Sequence, residues 1–104
     1  AVERRPESFA RTWFSAAERA LTDGDALRET LVWCTKEAVL KALGTGLALS
    51  PHDVQVTTLD ASHATVVLSG QVAAAHVALG GGTIRVAWAT AASNEVVVTV
   101  RLAA

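Results

Sequence analysis

The sequence has little of several residue types, and each shortage excludes a class of protein. A single cysteine, Cys34, excludes an internal disulfide framework and a cysteine-rich zinc site. Charged residues make up 18% and apolar residues 51%, which excludes a disordered chain. A formal net charge of -1 provides no basic surface, so we expect no nucleic-acid partner. Neither a run long enough to span a membrane nor a signal peptide is recognisable, so we expect a cytoplasmic protein with no membrane partner.

Charge is especially scarce in the second half of the chain. Residues 1–44 hold 14 of the 19 Asp, Glu, Lys and Arg residues, and residues 45–104 hold five. These few charged side chains cannot cover the surface of a small domain. We therefore expect another copy of the chain or a second domain to cover part of the surface formed by residues 45–104. A length of 104 residues predicts one domain, residues 1–104. Because the chain begins at Ala1 without a methionine, we expect a fragment or an excised domain.

Three helix signals occupy the first part of the chain. Proline and glutamate suit the first turn of a short helix over residues 6–14. A second short helix, over residues 15–24, begins with the Ser-x-x-Glu spacing of a capping box and ends in Asp-Gly. The longest helix is predicted over residues 26–43, where Gly44 follows it.

The second half of the chain has the texture of β-strands. Alternation over residues 54–58 and a β-rich run over 64–68 predict two strands, and residues 83–90 and 95–102 predict two more. The alanine-rich segment 71–79 predicts a short helix between the two pairs. The expected fold class is therefore α+β, with N-terminal helices packed on a small antiparallel sheet.

The longest predicted helix is apolar around most of its circumference. At about 100° per residue it carries two neighbouring apolar stripes, and Trp33 and Leu40 lie on the far side. A helix of this kind is buried on several sides or lies at an interface. Glu37 and Lys41 lie on that far side as well. Glu37 is thus a carboxylate with a tryptophan one turn before it and a lysine one turn after it.

Two interpretations of these charges are open. By spacing alone, Glu37 and Lys41 are most economically an i, i+4 ion pair, worth a few tenths of a kcal/mol. The alternative is a site for a metal ion and a polyphosphate, in which Glu37 binds Mg²⁺ and Lys36 and Lys41 bind phosphate oxygens. The glycines of the loop 44–46 would let a ligand approach the backbone closely. The glycine–lysine order of a P-loop is absent.

The segment 31–47, LVWCTKEAVLKALGTGL, resembles the signature of phosphopantetheinyl transferases. That signature is an aromatic residue, two variable positions, Lys-Glu, three variable positions and Lys, followed by a loop with glycine. Upstream, Arg11-Thr-Trp-Phe14-Ser15 and then Glu18-Arg19 are similar to the helix pair that precedes it in the family. The order of strands downstream is similar too. The resemblance implies the family's fold over nearly the whole chain.

The resemblance also implies an activity. Members of the family transfer the 4′-phosphopantetheine arm of coenzyme A to a serine of an acyl or peptidyl carrier protein, and they release adenosine 3′,5′-bisphosphate. Glu37 matches the glutamate that binds Mg²⁺ and helps to deprotonate the serine. Lys41 matches a catalytic lysine that neutralises charge on the leaving phosphate. Lys36 and Lys41 match lysines that contact the phosphates of coenzyme A, and Gly44 and Gly46 belong to the adjoining ligand loop.

The sequence departs from the family pattern at both ends. The family's first motif is Gly-x-Asp, in which the aspartate binds Mg²⁺ and an acidic residue often follows closely. Glu3 looks like that following residue, a second metal ligand, so the aspartate either precedes Ala1 or is replaced by it. Near the C-terminus, residues 87–90 read Ala-Trp-Ala-Thr where single-domain members have Ser-Leu-Ser-His.

These departures leave two interpretations open. The chain is an active transferase whose site is completed by another copy, as a trimer or a pseudo-dimer, or by the other half of a two-domain enzyme. The alternative is a degenerate domain of the same fold that serves assembly or carrier-protein docking without catalysis.

Overall fold

The structure is a computed structural model that describes residues 6–44, 49–91 and 95–102. Two predicted site residues, Glu3 and Gly46, lie outside the described residues.

Helices come first and strands follow, as the sequence predicts. The elements are α1 (Glu7–Trp13), α2 (Ala16–Thr22), α3 (Ala26–Gly44), a 3₁₀ helix (Pro51–Asp53), β1 (Val54–Leu59), β2 (His63–Leu68), α4 (Gly70–Ala78), β3 (Ile84–Thr90) and β4 (Val96–Leu102). The short helix between the two strand pairs is α4, so that prediction is confirmed. The expected α+β class is confirmed as well.

The start of α2 shows how local chemistry sets these elements. The Ser15 hydroxyl accepts a hydrogen bond from the Glu18 backbone N–H (3.1 Å), and the Glu18 carboxylate accepts one from the Ser15 N–H (3.0 Å). This is the predicted capping box, which satisfies two N–H groups that a helix N-terminus leaves unpaired. The helix ends at Asp23, which has a left-handed backbone (φ 46°).

The four strands form one antiparallel sheet in the order β1-β2-β3-β4. The β3–β4 ladder is continuous from Ile84 opposite Leu102 to Thr90 opposite Val96. The β2–β3 ladder has only two residue pairs, at His63 and the next residue. The connection through α4 separates the two strands beyond that point, so the sheet consists of two hairpins joined at one end.

The core lies between α3 and one face of the sheet. It is built from Phe14, Val32, Val39, Leu43, Val54, Val56, Ala64, Val72 and Val86. Alternate strand residues point the other way and form the outer face, which we define as Thr65, Val67, Arg85, Ala89, Val97, Thr99 and Arg101, all exposed. Among the described residues, no helix is long and apolar enough to cross a membrane.

Candidate functional site

Glu37 lies in the second half of α3 and is half-buried. Lys41, one turn later, is exposed. Within the described part of the chain, no residue makes a hydrogen bond or an ion pair with the Glu37 carboxylate. The i, i+4 ion pair is therefore not formed by Glu37. Its carboxylate oxygens are available for a ligand.

Three aromatic rings form a wall beside Glu37, on the side of the preceding helical turn. We define the aromatic wall as Phe9, Trp13 and Trp33. The ring centroids of Phe9 and Trp33 are 5.0 Å apart in an edge-to-face contact, and those of Trp13 and Trp33 are 5.5 Å apart. Such pairs add about 0.5–1.5 kcal/mol beyond area burial. The wall packs α1 against α3 and gives the motif's aromatic position a structural role.

The 3₁₀ helix borders the same region. The exposed imidazole of His52 stacks on Trp13, with ring centroids 5.7 Å apart and an interplanar angle of 22°. The stack joins the segment before β1 to α1. The chain thereby brings side chains from α1, α3 and the 3₁₀ helix together around Trp13 and Trp33, and Trp33 lies one helical turn before Glu37.

The Lys36 side chain points into the interior, where it reaches the 3₁₀ helix and β1. Its side chain is 1% exposed, and its Nζ lies 2.9 Å from the Glu18 carboxylate, whose side chain is 0% exposed. The same Nζ donates to the carbonyl oxygens of Pro51 (3.0 Å) and Val54 (2.6 Å). The contact between Lys36 and a coenzyme A phosphate stays a prediction, and the ammonium would have to leave all these acceptors to make it.

The partner carboxylate is equally well satisfied. One Glu18 oxygen accepts from Ser15 N and Lys36 Nζ, and the other accepts from the backbone N–H of Val56 (2.8 Å). Gln55 Nε2 donates to the Ser15 hydroxyl (2.5 Å) and extends the network. The sequence reveals the capping box because its two residues are close along the chain. The pairing with Lys36 has no sequence signal.

The described residues do not by themselves make a metal site. No group of three His, Cys, Asp or Glu residues that could hold a metal ion occurs among them. Glu37 offers one carboxylate, whereas Mg²⁺ prefers six oxygens in octahedral array. Gly44 is the last residue of α3 and is half-buried, while Glu3 and Gly46 are not described. The metal and glycine assignments stay predictions.

The segment 87–90, where single-domain relatives have Ser-Leu-Ser-His, lies in β3 and is tied to the β1–β2 turn. Trp88 donates from its backbone N–H to Ser62 O (2.8 Å) and from Nε1 to Asp60 O (3.1 Å). Backbone N–H groups of Ser62 and His63 donate to the Asp60 carboxylate, and they hold the pKa of that carboxyl below its usual range. Trp88 thus stabilises the β1–β2 turn through two hydrogen bonds.

The helices, the sheet and the motif on α3 are those that the sequence predicts for a phosphopantetheinyl transferase, and comparison with known proteins identifies the family. A model of the 4′-phosphopantetheinyl transferase superfamily matches residues 1–100. The chain belongs to the 4′-phosphopantetheinyl transferase superfamily. The family and fold predicted from segment 31–47 are therefore confirmed, and the predicted class of enzyme, a phosphopantetheinyl transferase, is the one that this membership supports.

Two similar proteins are both named holo-[acyl-carrier-protein] synthase. A holo-[acyl-carrier-protein] synthase of Roseiflexus castenholzii (strain DSM 13941 / HLO8) is 35% identical over 92 residues, which cover 82% of this chain and 68% of the relative. A holo-[acyl-carrier-protein] synthase of Roseiflexus sp. (strain RS-1) is 36% identical over 78 residues, which cover 67% of this chain and 56% of the relative. No solved structure gives a significant match.

Proposed function

We propose that this chain transfers the 4′-phosphopantetheine arm of coenzyme A to a serine of an acyl or peptidyl carrier protein. Membership of the transferase superfamily supports the reaction, and the names of the two relatives support the carrier-protein partner. The observation that carries the assignment of residues is the carboxylate of Glu37, which is half-buried and unpaired among the described residues and lies one turn from exposed Lys41.

The chemistry asks for positioning and charge neutralisation more than for covalent help. The serine oxygen forms a bond to the phosphorus that carries the pantetheine arm. The bond from that phosphorus to the oxygen bridging the two phosphates breaks, and adenosine 3′,5′-bisphosphate leaves. Glu37 accepts the serine proton. The Lys41 ammonium offsets the negative charge that develops on the leaving phosphate.

Magnesium belongs to this proposal as the ion that would share the pyrophosphate charge. Glu37 would supply one oxygen ligand and Glu3 another. Mg²⁺ is commonly held by one or two carboxylates together with substrate phosphates and water. Lys41, Gly44 and Gly46 would line the coenzyme A phosphates where α3 ends.

The first prediction concerns Glu37. We expect Glu37→Gln to lower transfer by at least about a hundredfold, because the amide neither accepts a proton nor carries the charge that Mg²⁺ prefers. The measurement incubates the natural full-length protein with apo carrier protein, coenzyme A and Mg²⁺. Mass spectrometry of the carrier protein then counts the added phosphopantetheine.

A matched control is Glu7→Gln, which makes the same change at an exposed carboxylate paired with Arg11. It should retain wild-type transfer. Full activity of Glu37→Gln would contradict the role of Glu37. No transfer by the wild type would favour the non-catalytic domain. The Ala-Trp-Ala-Thr sequence at residues 87–90 is the observation that favours this alternative.

Self-association, as a trimer or a pseudo-dimer, is also part of the proposal. The outer face of the sheet exposes Val67 and Val97 by 56% and 51%. Only five of the 19 charged residues belong to residues 45–104. Two of those five, Arg85 and Arg101, lie on this face, and exposed apolar side chains bordered by polar ones are typical of an interaction site. A second copy or a second domain on this face would bury these valines.

A further inference from the structure

We propose that Lys36 and Glu18 form a positioning pair that sets the rotation of α3 and thereby the direction of Glu37, and that Lys36 does not contact coenzyme A. The proposal rests on the proposed function, and it divides the two lysines of the motif between two tasks. Lys41 faces the ligand, and Lys36 holds the helix.

The donors of Lys36 are fully used inside the protein. An ammonium group has three N–H donors, and Nζ lies within 2.6–3.0 Å of three acceptors, on Glu18, Pro51 and Val54. If the ammonium turned outward to a phosphate, the Glu18 carboxylate would stay buried without its cation. Breaking a buried pair in this way is strongly destabilising, whereas an exposed lysine reaches a phosphate at little cost.

The pair connects α3, the helix that carries Glu37, to three neighbouring elements. Glu18 belongs to α2 and binds the backbone of β1 at Val56, and Lys36 belongs to α3 and binds the carbonyl of Pro51. Pro51 directly precedes His52, which stacks on the aromatic wall. One ion pair thus joins α2, α3, β1 and the 3₁₀ helix.

Helix geometry converts this connection into a direction for Glu37. Successive residues of an α-helix are rotated by about 100°. Lys36 is held toward the interior at 1% exposure, and Glu37, about 100° further round the helix, is half-buried. Rotation of α3 would carry the carboxylate away from its position. Misplacement of a reacting group by about 1 Å can cost about a hundredfold in rate.

The second prediction compares Lys36→Met with Lys41→Met, the same change at a buried and an exposed position of one helix. We expect Lys36→Met to lower the thermal midpoint by more than about 10 °C, because a buried charge loses its partner. Below that midpoint its affinity for adenosine 3′,5′-bisphosphate should stay within about twofold of wild type. Lys41→Met should lower the midpoint much less than Lys36→Met does, because Lys41 is exposed, and should lose about tenfold in affinity. Calorimetry measures both quantities.

Glu18→Gln keeps an oxygen acceptor for Val56 and extends the test to a residue outside the motif. In the folded variant we expect kcat to fall about tenfold or more, with the KM for coenzyme A within about twofold. A residue that only stabilises the fold would leave the kcat of the folded protein unchanged. Unchanged kcat would therefore overturn the positioning role.

A readout on the wild type covers the case in which Lys36→Met does not fold. The ¹⁵N resonance of the Lys36 ammonium should be visible, since its protons exchange slowly when buried, and the bisphosphate should not shift it. A shift of this resonance, or a tenfold loss of affinity in a stable Lys36→Met, would overturn the proposal. If the wild type binds no bisphosphate, the proposed function fails at this ligand, while the thermal midpoints and the visibility of the resonance still decide whether Lys36 is held inside.

Discussion

Asp60 is a single residue on which a turn depends. Its carboxylate accepts from the backbone N–H groups of Ser62 (2.8 Å) and His63 (2.7 Å), and its own carbonyl accepts from the Trp88 indole. The two N–H donors stabilise the charged form, so they lower the pKa of the carboxyl in the folded protein. A depressed folded pKa makes the charged carboxylate a source of stability.

The third prediction follows from the sign of this shift. Because the folded pKa lies below the unfolded value, about 3.9, the contribution is fully present above that value and is lost as the pH falls through the folded pKa. We expect Asp60→Ala to be less stable than wild type at pH 8, where the Asp60 carboxylate is fully charged. The difference in free energy of unfolding between wild type and Asp60→Ala, the gap, should shrink below about pH 4. Urea unfolding at several pH values measures it, and a gap independent of pH would contradict the proton linkage.

At the residue scale, sequence identifies chemistry that is local and misses chemistry that depends on burial. Ser15 and Glu18 could be read as a capping box because both partners lie within one turn. The motif predicts that Lys36 contacts a phosphate. The sequence alone does not show whether the Lys36 side chain points outward or into the interior. Its acceptors are 15 and 18 residues further on, or in another helix. Only the fold brings them together.

At the scale of secondary-structure elements, one glycine allows α4 to contact the 3₁₀ helix closely. Gly70, the first residue of α4, has φ +54°, and a Cβ there would lie 2.6 Å from Asp53 Oδ2. Asp53 also accepts from the Ser69 backbone N–H (2.9 Å) through its carbonyl. The α4 backbone therefore lies directly against the Asp53 carboxylate, which would have to move to admit a methyl group.

The fourth prediction uses two glycines with similar backbones. We expect Gly70→Ala to lower the free energy of unfolding by roughly 2–4 kcal/mol, from the left-handed backbone and the contact with Asp53 together. Gly24→Ala isolates the backbone cost, because Gly24 has φ +71° and open space around its Cβ position. It should cost only about 1–2 kcal/mol. Chemical denaturation of both variants gives the comparison.

A double variant separates the contact from the backbone. Asp53→Ala, introduced into Gly70→Ala, removes the crowding atoms and should recover part of the loss. Equal costs for the two glycine variants, or no recovery, would contradict the close approach. The sequence predicted α4 from its alanine content. It gave no sign of this contact, since residues 53 and 70 meet only after β1 and β2 have paired.

For the whole molecule, the scarcity of charge in residues 45–104 predicted a covered surface, and the fold shows where such a surface is available. One side of the sheet packs on α3, and the outer face is exposed in this chain. The strand pattern could be read from alternation, but the face that α3 covers could not. The α3 contacts with β1 and β4 are long-range.

The fifth prediction tests whether the outer face binds another copy. We expect Val97→Lys to shift the natural full-length protein toward monomer in sedimentation velocity, because a charged group at an apolar interface loses its hydration without gaining a partner. Val77→Lys is the matched control, since Val77 is 70% exposed on α4, away from that face. It should sediment as wild type does. Both changes leave the core intact, so a difference between them reports the interface. A monomeric wild type, or an assembly that Val97→Lys leaves intact, would contradict self-association through this face, and the second half of a two-domain enzyme would then be the arrangement to test.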